Sequence, residues 1–297
     1  MNKPCLPDHS LQAGAYPPCS DLYIYYLQGH VRPEDEKFDH AFIGNWQEDG
    51  FSFLFFSRPA ERQIEDLLNR QAGLTFLDKY HMSYEDWHGG SLAPLSIGSF
   101  YIVPPWLSAE APGDPFQKKK NLILDPGVVF GTGTHPTTFD CLQALERVCG
   151  AEDVNAAIDL GTGTGLLALA AARLGCRKVL AVDSNYLAAR TARKNSRLNQ
   201  VQDRILVVQG KAENFMDISA DLMIANVHYD VMRRLVASPG FMANKYFILS
   251  GLLRSQAEDV RLSLDNYPVR ILNSWSHDGI WHTFLGSTNA NNTLPAT

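Results

Sequence analysis

The stretch 156–174, AAIDLGTGTGLLALAAARL, constrains the fold more than any other part of the chain. A short apolar run ends at Asp159-Leu160, glycines alternate at 161, 163 and 165, and a run of helix formers follows. A strand that turns so tightly into a helix lays that helix back on its own sheet, and the next strand then runs parallel to the first. The pattern continues with apolar runs at 178–182, 204–209, 221–226 and 246–250, separated mostly by helical stretches such as Gly165–Leu174 and Tyr186–Leu198. Strands that are apolar almost throughout imply a parallel sheet covered on both faces. The end differs. Val269–Trp275 and Ile280–Leu285 are joined by Ser276-His277-Asp278-Gly279, too short for a parallel crossover, so they form an antiparallel hairpin. Five parallel-type strands and a terminal hairpin make a seven-strand α/β domain.

The glycine spacing separates two classes of ligand. A dinucleotide fingerprint would require glycine at 166, where Leu166 stands. The pattern present, Asp159-x-Gly161-x-Gly163-x-Gly165, is that of S-adenosylmethionine enzymes with a seven-strand Rossmann-like sheet. Glycines let a ligand lie against bare backbone, and the helix N-terminus adds free amides. Asp183 follows 22 residues after Gly161, at the end of the run KVLAVD, where a carboxylate can accept both hydroxyls of a ribose or simply cap the next helix. A second glycine-rich stretch, Phe130-Gly131-Thr132-Gly133-Thr134-His135-Pro136-Thr137-Thr138, precedes a helical pattern. Pro136 suits the first turn, and Thr134 or His135 can cap it.

The N-terminal part is organised otherwise. Residues 1–20 carry four prolines and read as a disordered arm. Within 21–85, strand candidates Leu22–Leu27, Ala41–Trp46, Phe51–Phe56 and Leu74–His81 surround a helix over Pro59–Arg70, which makes a small α+β unit. A Pro/Gly-rich connector spans 86–121, with one strand at Ser99–Val103 and a three-lysine run, Lys118 to Lys120, expected in a solvated loop. The seven-strand α/β domain occupies 122–286, and 287–297 reads as a disordered tail. The net charge of −6 argues against direct binding of nucleic acid along its phosphate backbone. Five cysteines without CxxC spacing imply free thiols, a reducing compartment and no metal site. No apolar stretch is long enough for a signal peptide or a membrane span, so the expected location is the cytoplasm.

Five segments in this order closely resemble the PrmA-type methyltransferases of ribosomal large-subunit protein eleven: LDPGVVFGTGTHPTT at 124–138, DLGTGTG at 159–165, AVD at 181–183, IAN at 224–226 and LSGLL at 249–253. The resemblance covers residues 84–286 and implies S-adenosylmethionine as methyl donor. It further implies a lysine side chain or N-terminal α-amine of a ribosomal large-subunit protein as acceptor. Carried over residue by residue, Thr138, Gly161, Asp183 and Asn226 contact the cofactor, with Asp159, Gly163 and Gly165 completing the glycine turn and Phe130 beside it. Asn226 positions the reactants, while His228 and Tyr229 wall the acceptor, with His228 also a proton acceptor. The resemblance also implies a ferredoxin-like N-terminal unit that recognises the acceptor protein. Only about a dozen residues, Gly29 to His40, separate its first two strands here, so its first helix is short or absent. Two segments depart from the family pattern: Val227-His228-Tyr229 after Asn226, and His88-Gly89-Gly90 after Trp87. Two alternatives stand beside the ribosomal acceptor: N-methylation of another protein or a small amine, and a non-catalytic S-adenosylmethionine-binding module.

Overall fold

The computed structural model describes residues 17–110 and 119–289. The arm expected at 1–20 and the tail expected at 287–297 therefore lie largely outside the described residues. Ser287 is a correction: it is fully buried and ends the last strand, because its neighbours pair with the sheet.

The chain begins with β1 (Asp21–Gln28), β2 (Phe42–Glu48) and β3 (Phe51–Phe56), then α1 (Glu61–Arg70), β4 (Thr75–Ser83) and the short α2 (Tyr84–Trp87). β1 to β4 form an antiparallel sheet of order β2-β3-β1-β4, and only a 3-10 turn at Pro33–Asp35 lies between β1 and β2. Strand alternation gives this sheet two apolar faces. Tyr25, Leu27, Leu54 and Phe56 pack under Ile64 and Leu67 of α1. Leu22, Ile24 and Phe55 face the other way, against Val128, Val129, Leu187 and Ala188 of the C-terminal half.

The connector is more ordered than its composition suggests. β5 (Leu95–Ile97), β6 (Phe100–Val103) and β7 (Lys120–Ile123) form a three-stranded sheet, of which the sequence signalled only the middle strand. Lys118 lies outside the described residues, whereas Lys120 opens β7 rather than sitting in a loop.

The C-terminal half runs α3 (Pro136–Ala151), β8 (Ala156–Leu160), α4 (Leu166–Leu174), β9 (Lys178–Asp183), α5 (Tyr186–Leu198), β10 (Ile205–Gln209), β11 (Leu222–Asn226), α6 (Tyr229–Ala237), β12 (Tyr246–Leu253), α7 (Arg254–Leu264), β13 (Arg270–His277) and β14 (Trp281–Ser287). Its seven-stranded sheet has the order β10-β9-β8-β11-β12-β14-β13, parallel through β12 and antiparallel in the terminal hairpin. Asp278 and Gly279 both take left-handed φ, 52° and 66°, in the hairpin turn, which matches the right-handed twist of its strands. One core packs α3 and α4 on one sheet face, and a second packs α6 and α7 on the other. The chain moves outward from β8 to β10 on one side and from β11 onward on the other. The strand order thus reverses between β8 and β11, and open α/β sheets bind ligands at the carboxyl ends of the strands at such a point. No helix among the described residues is long and apolar enough to cross a membrane.

Candidate active site

The β8–α4 turn and the loop before α3 are joined into one surface. Gly161, Gly163 and Gly165 leave the end of β8 with positive φ. Gly163 shows why no side chain is admitted: a Cβ there would lie 2.4 Å from the carbonyl oxygen of Phe130. Thr164 fastens the two loops, donating from its amide to Phe130 O (3.0 Å) and from Oγ1 to Gly131 O (2.6 Å). Asp183 stands at the end of β9, where its carboxylate accepts the amides of Gly163 and Asn185, each at 2.9 Å. Burial pushes its pKa up, opposed by those two amides. Each oxygen keeps a further lone pair for a ligand hydroxyl.

Asp159 is placed differently from the other acid. It is fully buried beneath the turn, where Oδ2 accepts from Thr162 Oγ1 at 2.6 Å. Burial pushes its pKa up to about 7. Expected among the cofactor contacts, it lies beneath the turn and holds the turn's shape through Thr162.

His135 caps α3 as its sequence position suggested. Its Nδ1 accepts from the Thr137 amide (3.3 Å) and lies 2.8 Å from Thr137 Oγ1. Thr137 Oγ1 in turn accepts from Asn226 Nδ2 at 3.2 Å. An Nδ1 that accepts the amide assigns the proton of the neutral ring to Nε2. Burial lowers the pKa of His135. The ring lies edge-on between Phe130 and Trp281, at centroid distances of 5.4 and 4.9 Å. Behind this chain, Ser250 Oγ reaches Thr137 O (3.3 Å) and Thr283 Oγ1 (2.5 Å); Thr283 donates to buried Asp140, which also meets His277 Nε2 at 2.8 Å. Thr138 is buried, and its hydroxyl has no hydrogen-bond partner.

The structure gathers Asn226, Thr138, Phe130, Asp183 and the three glycines at the switch in strand order. Two expected residues are directed elsewhere. Tyr229 donates its hydroxyl to Asp259 on α7 at 2.6 Å, with the Arg233 guanidinium over its ring, because position 229 opens α6 on the side that faces α7. His228 is solvent-exposed and pairs with Asp230 at 3.6 Å. Neither joins the Asn226–Thr137–His135 chain. Sequence reasoning missed Thr137 and Trp281. Thr137 carries a signal in hindsight, since it stands one residue into the helix that His135 caps.

A cavity of about 740 Å³ opens beside this surface, walled by Trp46, Phe53, Tyr80 and Trp87 from the small unit and by Phe130 and His135 from the loop. His88, at a position where the chain departs from the family pattern, sits 3.1 Å from Gly127 O, and Tyr84 donates to the same carbonyl at 2.7 Å. Together they tie α2 to the loop.

The residues fit S-adenosylmethionine. The turn leaves backbone bare, an acid ends the neighbouring strand, and the buried hydroxyl of Thr138 lacks a partner.

Residues 60–288 match the family described as "Ribosomal protein L11 methyltransferase (PrmA)". The chain is similar to the ribosomal protein L11 methyltransferase of Anoxybacillus flavithermus, with 39% identity over 175 residues, 58% of this chain and 54% of that relative. It is also similar to that of Desulforamulus reducens, with 35% identity over 236 residues, 76% of this chain and 74% of the relative. The chain thus spans about half of the first relative's length. Among solved structures, that of a ribosomal protein L11 methylase from Lactobacillus delbrueckii subsp. bulgaricus aligns with a TM-score of 0.55 and 26% identity, over 66% of this chain and 97% of that one.

Proposed function

The chain belongs to the ribosomal protein L11 methyltransferase family, and from that premise we propose that it methylates an amine nitrogen of a ribosomal large-subunit protein, a lysine side chain or the N-terminal α-amine. The observation that carries this reading is the hydrogen-bonded chain Asn226–Thr137–His135 at the end of β11, beside the Asp183–Gly163 turn. Asp183 accepts the ribose hydroxyls of S-adenosylmethionine, Gly161 to Gly165 offer bare backbone, and Thr138 supplies a hydroxyl. Held by these residues, S-adenosylmethionine would supply an electrophilic methyl carbon on a sulfonium for a neutral amine.

Asn226 holds the acceptor. Its Nδ2 is committed to Thr137, which fixes the amide plane and leaves Oδ1 as the group free to accept from an incoming N–H. A lysine acceptor has to lose its proton first, and burial among aromatic side chains lowers its pKa from about 10.4. Most of the acceleration then comes from holding the reacting atoms in line. We read residues 21–85 as an abridged ferredoxin-like unit that recognises the acceptor, residues 122–286 as a seven-strand Rossmann-like catalytic domain, and the cytoplasm as the place of action.

The test is transfer of labelled methyl into isolated large-subunit proteins and into whole lysate. Label in one ribosomal protein supports the reading; label only in a non-ribosomal protein or a small amine overturns the acceptor. Asn226→Ala should lower turnover at least tenfold with little change in melting temperature, and a fully active variant would reduce Asn226 to a turn residue.

A further inference from the structure

Like Asp159, Asp140 is fully buried, yet it lies on α3, away from the glycine turn. Among the described residues it pairs with no lysine or arginine. Its partners are His277 Nε2 at Oδ1 (2.8 Å) and the Thr283 hydroxyl at Oδ2 (3.2 Å). Burial pushes its pKa up, opposed by those two groups. A carboxylate covered in this way costs stability, and an apolar side chain of like shape would avoid that cost. Folds keep such a conflict mostly where function needs it.

The hydrogen bonds of Asp140 lead to Asn226. Thr283 meets Ser250 at 2.5 Å, and Ser250 Oγ lies 3.3 Å from the Thr137 carbonyl. Thr283, Ser250 and Thr137 are all buried. Thr137 stands one helical turn before Asp140 on the same side of α3, and its Oγ1 accepts from Asn226 Nδ2 at 3.2 Å. Ser250 is also the strand partner of Asn226. The next residue, Gly251, passes so close that a Cβ there would lie 3.0 Å from Asn226 Oδ1. Asn226 is thus held between α3 and β12, and Asp140 ties α3 to β14 and, through Thr283, to β12.

We propose that Asp140 is a positioning residue for methyl transfer: acting through Thr283 and Ser250, it fixes the seat of Thr137 and so the side-chain amide of Asn226. The proposal rests on the methyltransferase reading and adds to it a residue that touches neither cofactor nor acceptor. Asparagine at this position can keep both links, with Oδ1 accepting from His277 and Nδ2 donating to Thr283 Oγ1, which then donates to Ser250. Leucine, with the same branching, keeps neither.

Steady-state kinetics with the ribosomal acceptor, calorimetry with S-adenosylmethionine and thermal melts on the full-length protein test this. Asp140→Leu and Thr283→Val should each lower kcat about tenfold, with KM and S-adenosylmethionine affinity within about threefold of the parent, as expected where a small misplacement costs rate. Asp140→Asn should recover most of that rate. Because both substitutions cut one chain, the double variant should lose no more than either alone. A second readout needs no turnover. The Asn226 side-chain amide signal in an NMR spectrum, assigned by its absence from Asn226→Ala, should move in Asp140→Leu and Thr283→Val and stay in Asp140→Asn. Should Asp140→Leu not fold, Thr283→Val, an isosteric change, carries the same readouts. An unchanged kcat, losses that add, or equal losses with asparagine and leucine overturn the proposal. So does a loss of rate matched by lost melting temperature and lost S-adenosylmethionine affinity, which would make Asp140 a clamp for the fold alone. A parent that transfers no methyl sinks the methyltransferase reading, and the amide signal then decides by itself whether Asp140 holds Asn226.

Discussion

Two aspartates 24 positions apart in the same sheet illustrate what burial decides at the scale of one residue. Asp183 ends its strand partly open and anchors the Gly163 amide, so it can serve a ligand. Asp183→Ala should weaken S-adenosylmethionine by about 1.5–3 kcal/mol, the scale of a hydrogen bond to a charged group, and calorimetry would show it. Asp159 lies fully buried, and its pKa rises from 3.8 to about 7. The folded state therefore holds a proton that the unfolded chain has already lost between these values. Stability falls as pH rises through that window, by up to about 1.4 kcal/mol per pH unit from this one group, and levels off above about 7. Asp159→Asn keeps an acceptor for Thr162 and should flatten that slope. Denaturant melts at pH 4 and pH 7 should find the variant level with the parent at the first and more stable at the second; parallel curves would dismiss the argument. The sequence pattern placed both acids in one motif, yet no local signal says which of them the folded chain will cover.

At the scale of elements, the strands and helices around the glycine turn were legible because their periodicity is local. Apolar runs gave β8 to β12, and the Asp278-Gly279 turn gave the hairpin. What holds the hairpin was not legible. Asp140 on α3 and His277 on β13 are 137 positions apart, and nothing in either neighbourhood points to the other. β5 and β7 were hidden for a similar reason: each is short, and each depends on pairing with β6. Tyr229 sends its hydroxyl to Asp259 because α6 begins there, a helix whose start the apolar pattern did not mark. The zipped loops give a sharper expectation. Gly163→Ala forces a Cβ to within 2.4 Å of a backbone carbonyl at a left-handed φ of 55°. Neither group can yield without breaking the Thr164–Phe130 hydrogen bond, so the cost should be on the order of 1–3 kcal/mol, read as a lower melting temperature together with lost S-adenosylmethionine affinity. A variant with parental melting and affinity would mean that the loops separate freely.

Over the whole molecule, the small sheet is seated on the cofactor side of the large one. Gly44 in β2 lies so close to Leu187 of α5 that a Cβ would come within 2.6 Å of a Leu187 methyl, and the Arg190 side chain donates to the Ile43 carbonyl beside it. Gly44→Val should wedge this seam. S-adenosylmethionine affinity should stay within about threefold, while methylation of the protein acceptor drops at least fivefold through a raised KM, as expected where geometry across a joint sets the rate. An unchanged KM would show that acceptor recognition does not depend on the seam. The sequence marked the small unit by composition but could not show that its aromatic face would be shared with the loop at 128–136, since that contact is made only in the assembled chain. The same arrangement has an optical consequence. Of the chain's five tryptophans, Trp46 and Trp87 wall the cavity and Trp281 lies against His135. Three of the five indoles thus stand at the cavity or its rim, so a ligand that enters there should change the colour and brightness of the intrinsic emission without any label being attached.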